Sequence, residues 1–135
     1  MHRYLLGITF GLGYTLNCLA GTCPDPSSIQ CLKLPSGQTT CKTTISGWSS
    51  SQTSYSSPIM NTISFTMAEL AVAPDWRYKP SCFYVDANGV SLEFDSNMGV
   101  TASGSTWSPD PSSNKNAGTY TCNSSILSDC QINPS

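Results

Sequence analysis

The chain has 135 residues, with 6 Lys or Arg against 8 Asp or Glu, so that only 10% of it is charged, where soluble domains carry about 25%. Such sparse charge excludes a nucleic-acid binder, which needs a basic patch, a coiled coil, which needs charges flanking its seam, and an acidic disordered tail. Seven cysteines in so short a chain point to disulfides or to a metal.

Residues 1–20 have the layout of a secretory signal peptide. His2 and Arg3 precede an uncharged apolar run over 4–16, and the small residues Cys18 and Ala20 stand before an expected cleavage ahead of Gly21. The run is too short to span a bilayer, and no second long apolar run follows. Removal of this leader leaves 21–135 as one domain with five cations, eight carboxylates, no histidine and six cysteines. An even cysteine count in an exported chain signals complete pairing in an oxidising compartment, so the expected location is secreted or periplasmic. Leu, Ile, Val and Phe make up less than a fifth of residues 21–135. Cross-links are therefore expected to offset a thin core, each contributing about 2–4 kcal/mol.

Two runs rich in apolar and β-branched residues, 29–34 and 39–45, flank the turn sequence Pro35-Ser36-Gly37. Cys31 and Cys41 lie symmetrically about that turn, which predicts a hairpin stapled across its arms. Residues 48–58 are mostly Ser, Thr, Gln and Tyr and read as an exposed loop or edge strand. Ile63, Phe65 and Met67 alternate with polar neighbours, a strand over 62–66. The stretch 67–73 has helical propensity, yet Leu70 and Val72 continue the alternation shifted by one residue, as a β-bulge would produce. Pro74 ends it.

The strongest local signal covers 81–95, where Asn88-Gly89 is a preferred type I′ turn. Closing there sets Val85 opposite Leu92, Phe83 opposite Phe94 and Ala87 opposite Val90 on one apolar face. Tyr84 with Glu93 and Cys82 with Asp95 then share the outer face, and Cys82 would be tied to a segment crossing it. Residues 96–118 hold Gly99, Gly104, Pro109, Pro111 and Gly118 and few apolar residues, the pattern of a long binding or mobile loop. A last strand is expected over 119–122, followed by a short loop closed between Cys122 and Cys130. Six cysteines allow 15 pairings; spacing selects Cys31–Cys41 and Cys122–Cys130, and elimination leaves Cys23–Cys82. The fold class is all-β, a small antiparallel sandwich or partly open barrel braced by disulfides.

Several short motifs recur in one setting: Cys23-Pro24-Asp25-Pro26 with Ile29 after the leader, Trp48-Ser49, Cys82-Phe83-Tyr84, Trp107, and Cys122-Asn123-Ser124-Ser125 through Cys130. In these the chain resembles an uncharacterised family of small exported gammaproteobacterial proteins, a domain of unknown function. It departs from that pattern in the extra pair Cys31 and Cys41 and in lacking a Pro directly after its last cysteine. The resemblance implies export and a small β-rich domain, and it carries no catalytic residues.

Nucleophilic catalysis of the Ser-His-Asp or Cys-His kind needs an imidazole or an equivalent base, and residues 21–135 contain no histidine. Zinc loses its usual ligands for the same reason, and no Cys-x-x-Cys spacing occurs. Glu93 and Asp95 on one strand face are compatible with glycoside hydrolysis but read more simply as an exposed polar face. Asp86-Ala87-Asn88 and Asp95-Ser96-Asn97 read as turn clusters that cannot share one calcium ion. No cofactor or metal is expected.

What remains is recognition. Rigid aromatics among Ser, Thr and Asn form polar binding surfaces, and the candidate residues are Trp48, Trp76, Arg77, Tyr78, Lys79 and Trp107, although the same rings can supply the core that a leucine-poor chain lacks. The expected function is a non-enzymatic secreted or periplasmic binding protein, a bacterial factor acting on a host or competitor surface through an extracellular protein or glycan, with no nucleic acid and no membrane span. The alternatives are an inhibitor of an extracellular enzyme using the Cys31–Cys41 loop and a small carbohydrate-binding protein.

Overall fold

The structure is a computed structural model that describes residues 21–52, 57–72, 78–110 and 118–134. It is all-β and antiparallel. The signal-peptide reading of 1–20 lies outside the described residues.

Asp25 opens the first turn among the described residues: its carboxylate accepts from the Ser27 amide at 2.8 Å, capping a 3-10 turn over Pro26–Ser28. Strands β1 (Ile29–Lys33) and β2 (Thr39–Thr43) then form a separate two-stranded hairpin with Cys31 directly opposite Cys41. Its turn closes through Leu34 N to Gln38 O (2.7 Å) and Gly37 N to Leu34 O (2.9 Å), with Gly37 at φ 87°. A positive φ here costs a glycine nothing. Strand β3 (Trp48–Ser50) is the edge strand expected at the start of 48–58, and residues 53–56 lie outside the described set.

The main sheet is built from β4 (Ser64–Val72), β5 (Tyr78–Val85), β6 (Ser91–Ser96), β7 (Val100–Ser103), β8 (Trp107–Pro109), β9 (Tyr120–Cys122) and β10 (Gln131–Pro134) together with β3. The strands run in the order β10-β7-β5-β4-β9-β8, while β6 lies along β5 and carries β3 on its far side. The helical propensity of this stretch loses to pairing on both sides: β4 takes in residues 67–72, bonded to β5 and β9. A register irregularity between Phe65 and Met67 produces the expected shift. Ile63 and Phe65 are buried before it, Ala68 and Leu70 after it, and Met67 is only half-buried.

Two expectations are corrected. The hairpin of β5 and β6 is out by one residue from the type I′ register: Tyr84 faces Leu92, Phe83 faces Glu93 and Cys82 faces Phe94. The cause is a longer loop. Asp86 N donates to Val90 O (3.1 Å) and Gly89 N to Asp86 O (3.1 Å), so three residues, Ala87-Asn88-Gly89, make the turn, with Gly89 at φ 79°. The Asp86 carboxylate enforces this by accepting from the amides of Asn88 (2.9 Å), Val90 (2.7 Å) and Ile59 (2.9 Å). One residue of slip exchanges the two faces, which moves Cys82 and Tyr84 into the core. Second, the 96–118 stretch read as a long loop contains β7 and β8, which pair with β10 and β9.

The inner face of the sheet buries Phe65, Ala68, Cys82, Tyr84, Leu92 and Phe94 beneath Cys23, Ile29 and Cys41 of the N-terminal segment and hairpin, giving two layers. Tyr84 sits at the centre, edge-on to Phe65 (5.7 Å) and to Phe94 (5.9 Å), and its hydroxyl donates to Pro24 O at 2.5 Å. A smaller cluster of Leu70, Val100 and Ile132 fills the other end. The bridges are Cys23–Cys82, Cys31–Cys41 and Cys122–Cys130, the set selected by spacing and elimination. Cys23–Cys82 spans the core face, however, and not the outer one.

Candidate functional site

Trp76 and Arg77 lie outside the described residues. The other four candidates are not brought onto one surface. Tyr78, Trp48 and Trp107 are half-buried and pack against the Leu70, Val100 and Ile132 cluster. Tyr78 is edge-on to Tyr120 at 5.6 Å, and the Trp107 indole N–H donates to Gln131 O at 2.9 Å. These rings serve the core first. Lys79, the next residue along β5, points to the opposite face, as strand alternation requires, and its ammonium donates to Asn97 O.

Trp48 differs from the other two in what lies beside it. It lines a groove of about 470 Å³ together with the segment 21–25, the β2–β3 turn, Met98 and Ile132. Ile45 and Met98 line this groove at 45% and 43% exposure. Local chemistry places both. Gly47, at φ 88°, ends the turn that carries Ile45, and Ser96 Oγ accepts from the Met98 amide (3.1 Å) where β6 gives way to β7. Asp25 adds a charge to its lining. Hydrogen bonds from the Ser27 hydroxyl and amide hold its carboxyl below the usual range, so it is ionised at any physiological pH. Sequence reasoning singled out Trp48 but missed Ile45 and Met98, because isolated apolar residues in polar loops carry no periodic signal.

The outer face of the sheet holds a second constellation. Pairing across β9, β4, β5, β6 and β3 aligns Thr121, Glu69, Ser81, Asp95 and Ser49 in one polar row, with Glu93 on the same face one pair along. Burial raises the Glu69 carboxyl above its usual range, helped by the charges of Asp110 and Asp95. Burial, then the Asp95 charge, raises Glu93, against an opposing hydrogen bond from Ser51. Asp95 has one oxygen, Oδ1, cut off from solvent without a hydrogen-bond partner among the described residues. Glu93 is hydrogen-bonded to Asp95. Among the described residues there is no cluster of His, Cys, Asp and Glu able to hold a metal, and no helix long and apolar enough to cross a membrane.

This row makes stability depend on pH in a defined direction. Glu69 and Glu93 bind protons more tightly folded than unfolded, so their contribution is complete below the unfolded carboxyl pKa of about 4.3 and is lost as pH rises through the raised values. Asp25 and Asp86 are held low by hydrogen bonds, so their contribution is lost only on acidification below about pH 4. Thermal melts should therefore show Tm falling from mildly acidic to neutral pH, and the Glu69→Gln, Glu93→Gln double variant should flatten that fall. A Tm that rises steadily from pH 5 to pH 7 would contradict the assignment.

No family model, curated protein or solved structure matches the chain.

Proposed function

We propose that the chain is an exported binding protein that acts by contact and not by catalysis, taking an extracellular protein segment into the groove lined by Trp48. The observation that carries this reading is that two exposed apolar side chains, Ile45 and Met98, line one groove with Trp48 and ionised Asp25. A flexible thioether adapts to varied side chains. The complementary ligand is a segment with one large apolar anchor next to a cation. The leader-like residues 1–20, the three disulfides and the absence of histidine from 21–135 support export and argue against hydrolysis. The resemblance to small exported gammaproteobacterial proteins supports a bacterial source.

The groove favours a protein ligand over a glycan, since a sugar stacks on an open ring face and the Trp48 ring is packed among core residues. The inhibitor alternative depends on the loop between Cys31 and Cys41. That loop is a tight turn whose Gly37 amide is engaged within it and whose Leu34 amide is engaged at its base, which leaves little extended backbone to lay into an enzyme's cleft.

Selection of the oxidised protein against a random peptide library tests the reading. Peptides joining Arg or Lys to an aromatic or aliphatic residue should emerge, and Met98→Asp and Ile45→Asp should each weaken them by about tenfold or more, the loss of one good apolar contact. Selected peptides that bind both variants as well as the parent would sink the groove reading. Hydrolase activity abolished by Glu93→Gln would sink the non-catalytic one.

A further inference from the structure

We propose that Cys31–Cys41 is a thiol-exchange site, the one bridge of the three that an external thiol opens while the fold persists. The sulfurs of the other bridges are shut in: Cys82 and Cys122 are 0% exposed, Cys130 1% and Cys23 3%. Cys31 is only half-buried and, with Cys41, lines a surface depression of about 410 Å³ on the separate hairpin. Exchange needs a thiolate to reach a sulfur, so access decides which bridge reacts. The depression admits the reagent, and Lys42 on its wall supplies a positive charge that favours thiolate over thiol.

The step balances with a dithiol as reductant. Its thiolate attacks the sulfur of half-buried Cys31, the S–S bond breaks, and the electron pair leaves on the Cys41 sulfur, which takes a proton. The reagent's second thiolate then attacks its own sulfur in the mixed disulfide, closing a cyclic disulfide and releasing Cys31 as a thiol. Two electrons have passed from the dithiol to the bridge.

The hairpin survives this because it has other ties. Five residue pairs join β1 to β2, Ile29 remains in the core, and Ser28 and Thr43 hydroxyls are hydrogen-bonded at 2.8 Å where the hairpin joins the body. Cys41 is 6% exposed and belongs to the core cluster, so opening the bridge changes a covalent link between surface and core without dismantling either layer.

The experiment is a dithiothreitol titration of the folded oxidised protein, with alkylation at each point and peptide mapping by mass spectrometry. Cys31 and Cys41 should be labelled at about tenfold less reductant than the other four cysteines, with the far-ultraviolet circular dichroism unchanged. Labelling of Cys122 and Cys130 or of Cys23 and Cys82 first, or of all six together, overturns the proposal. The Cys31→Ser, Cys41→Ser variant provides a second reading: at the low dose it should take up no label, and labelling there also overturns it.

Discussion

Replacing Cys23 and Cys82 together by serine should lower the free energy of unfolding by about 4 kcal/mol. The bridge closes 59 residues, the longest loop of the three, and in the chain-entropy account the stabilisation grows with the logarithm of that length. The corresponding figure for Cys31–Cys41, separated by 10 residues, is about 3 kcal/mol. Environment widens the gap. Both Cys23 and Cys82 are buried among apolar side chains, so the serine hydroxyls lose water without gaining partners. A small domain commands only about 5–15 kcal/mol, which leaves this variant close to unfolding. Urea denaturation followed by circular dichroism measures it. A loss no larger than that of the Cys31, Cys41 double variant would show that the bridge does not join the layers as described.

The second large effect is at Tyr84. Truncation to alanine should cost about 3–5 kcal/mol, the range for removing a buried aromatic ring, because the ring is 1% exposed and meets Phe65 and Phe94 edge-on. Tyr84→Phe keeps those contacts and leaves the Pro24 carbonyl without its donor, at a cost of about 1–2 kcal/mol. Burial, with the Asp25 charge adding to it, pushes the phenol well above its ordinary pKa, so it stays a donor at neutral pH. The hydroxyl and the Cys23 sulfur anchor adjacent residues of one segment to alternate positions on β5. Their losses should therefore not add: once the bridge is gone, Tyr84→Phe should cost less than it does alone. Equal costs in both backgrounds would mean that segment 23–24 is held by something else.

Much of this architecture was legible because local chemistry states it. The turn Pro35-Ser36-Gly37 with cysteines set evenly about it specifies a stapled hairpin, and the shifted alternation from Phe65 to Leu70 specifies a bulged strand. Strands β7, β8 and β10 were not legible. Val100–Ser103 alternates apolar and polar residues over only four positions, too short a run to stand out, and becomes a strand because β10 and β5 offer it backbone partners. The groove was half legible: a tryptophan in a polar setting stands out, whereas Ile45 and Met98 acquire meaning only when Gly47 and the β6–β7 corner bring them to the same groove.

The hairpin of β5 and β6 divides the two contributions most clearly. Sequence alone determined that 81–95 turns back on itself near Asn88-Gly89, that six cysteines in 21–135 pair, and that charge is too sparse for several classes of partner. Tertiary structure decided which face is which. The Asp86 carboxylate, accepting from three amides including that of Ile59 in a distant segment, sets a three-residue loop where the dipeptide favours two. That single residue puts Tyr84 and Cys82 inside and sets Phe83 and Ser81, in their place, beside Glu93 and Asp95 on the outer face. The physical reason is that a dipeptide preference is worth a fraction of a kcal/mol, while the burial of Tyr84, Leu92 and Phe94 on one face is worth several.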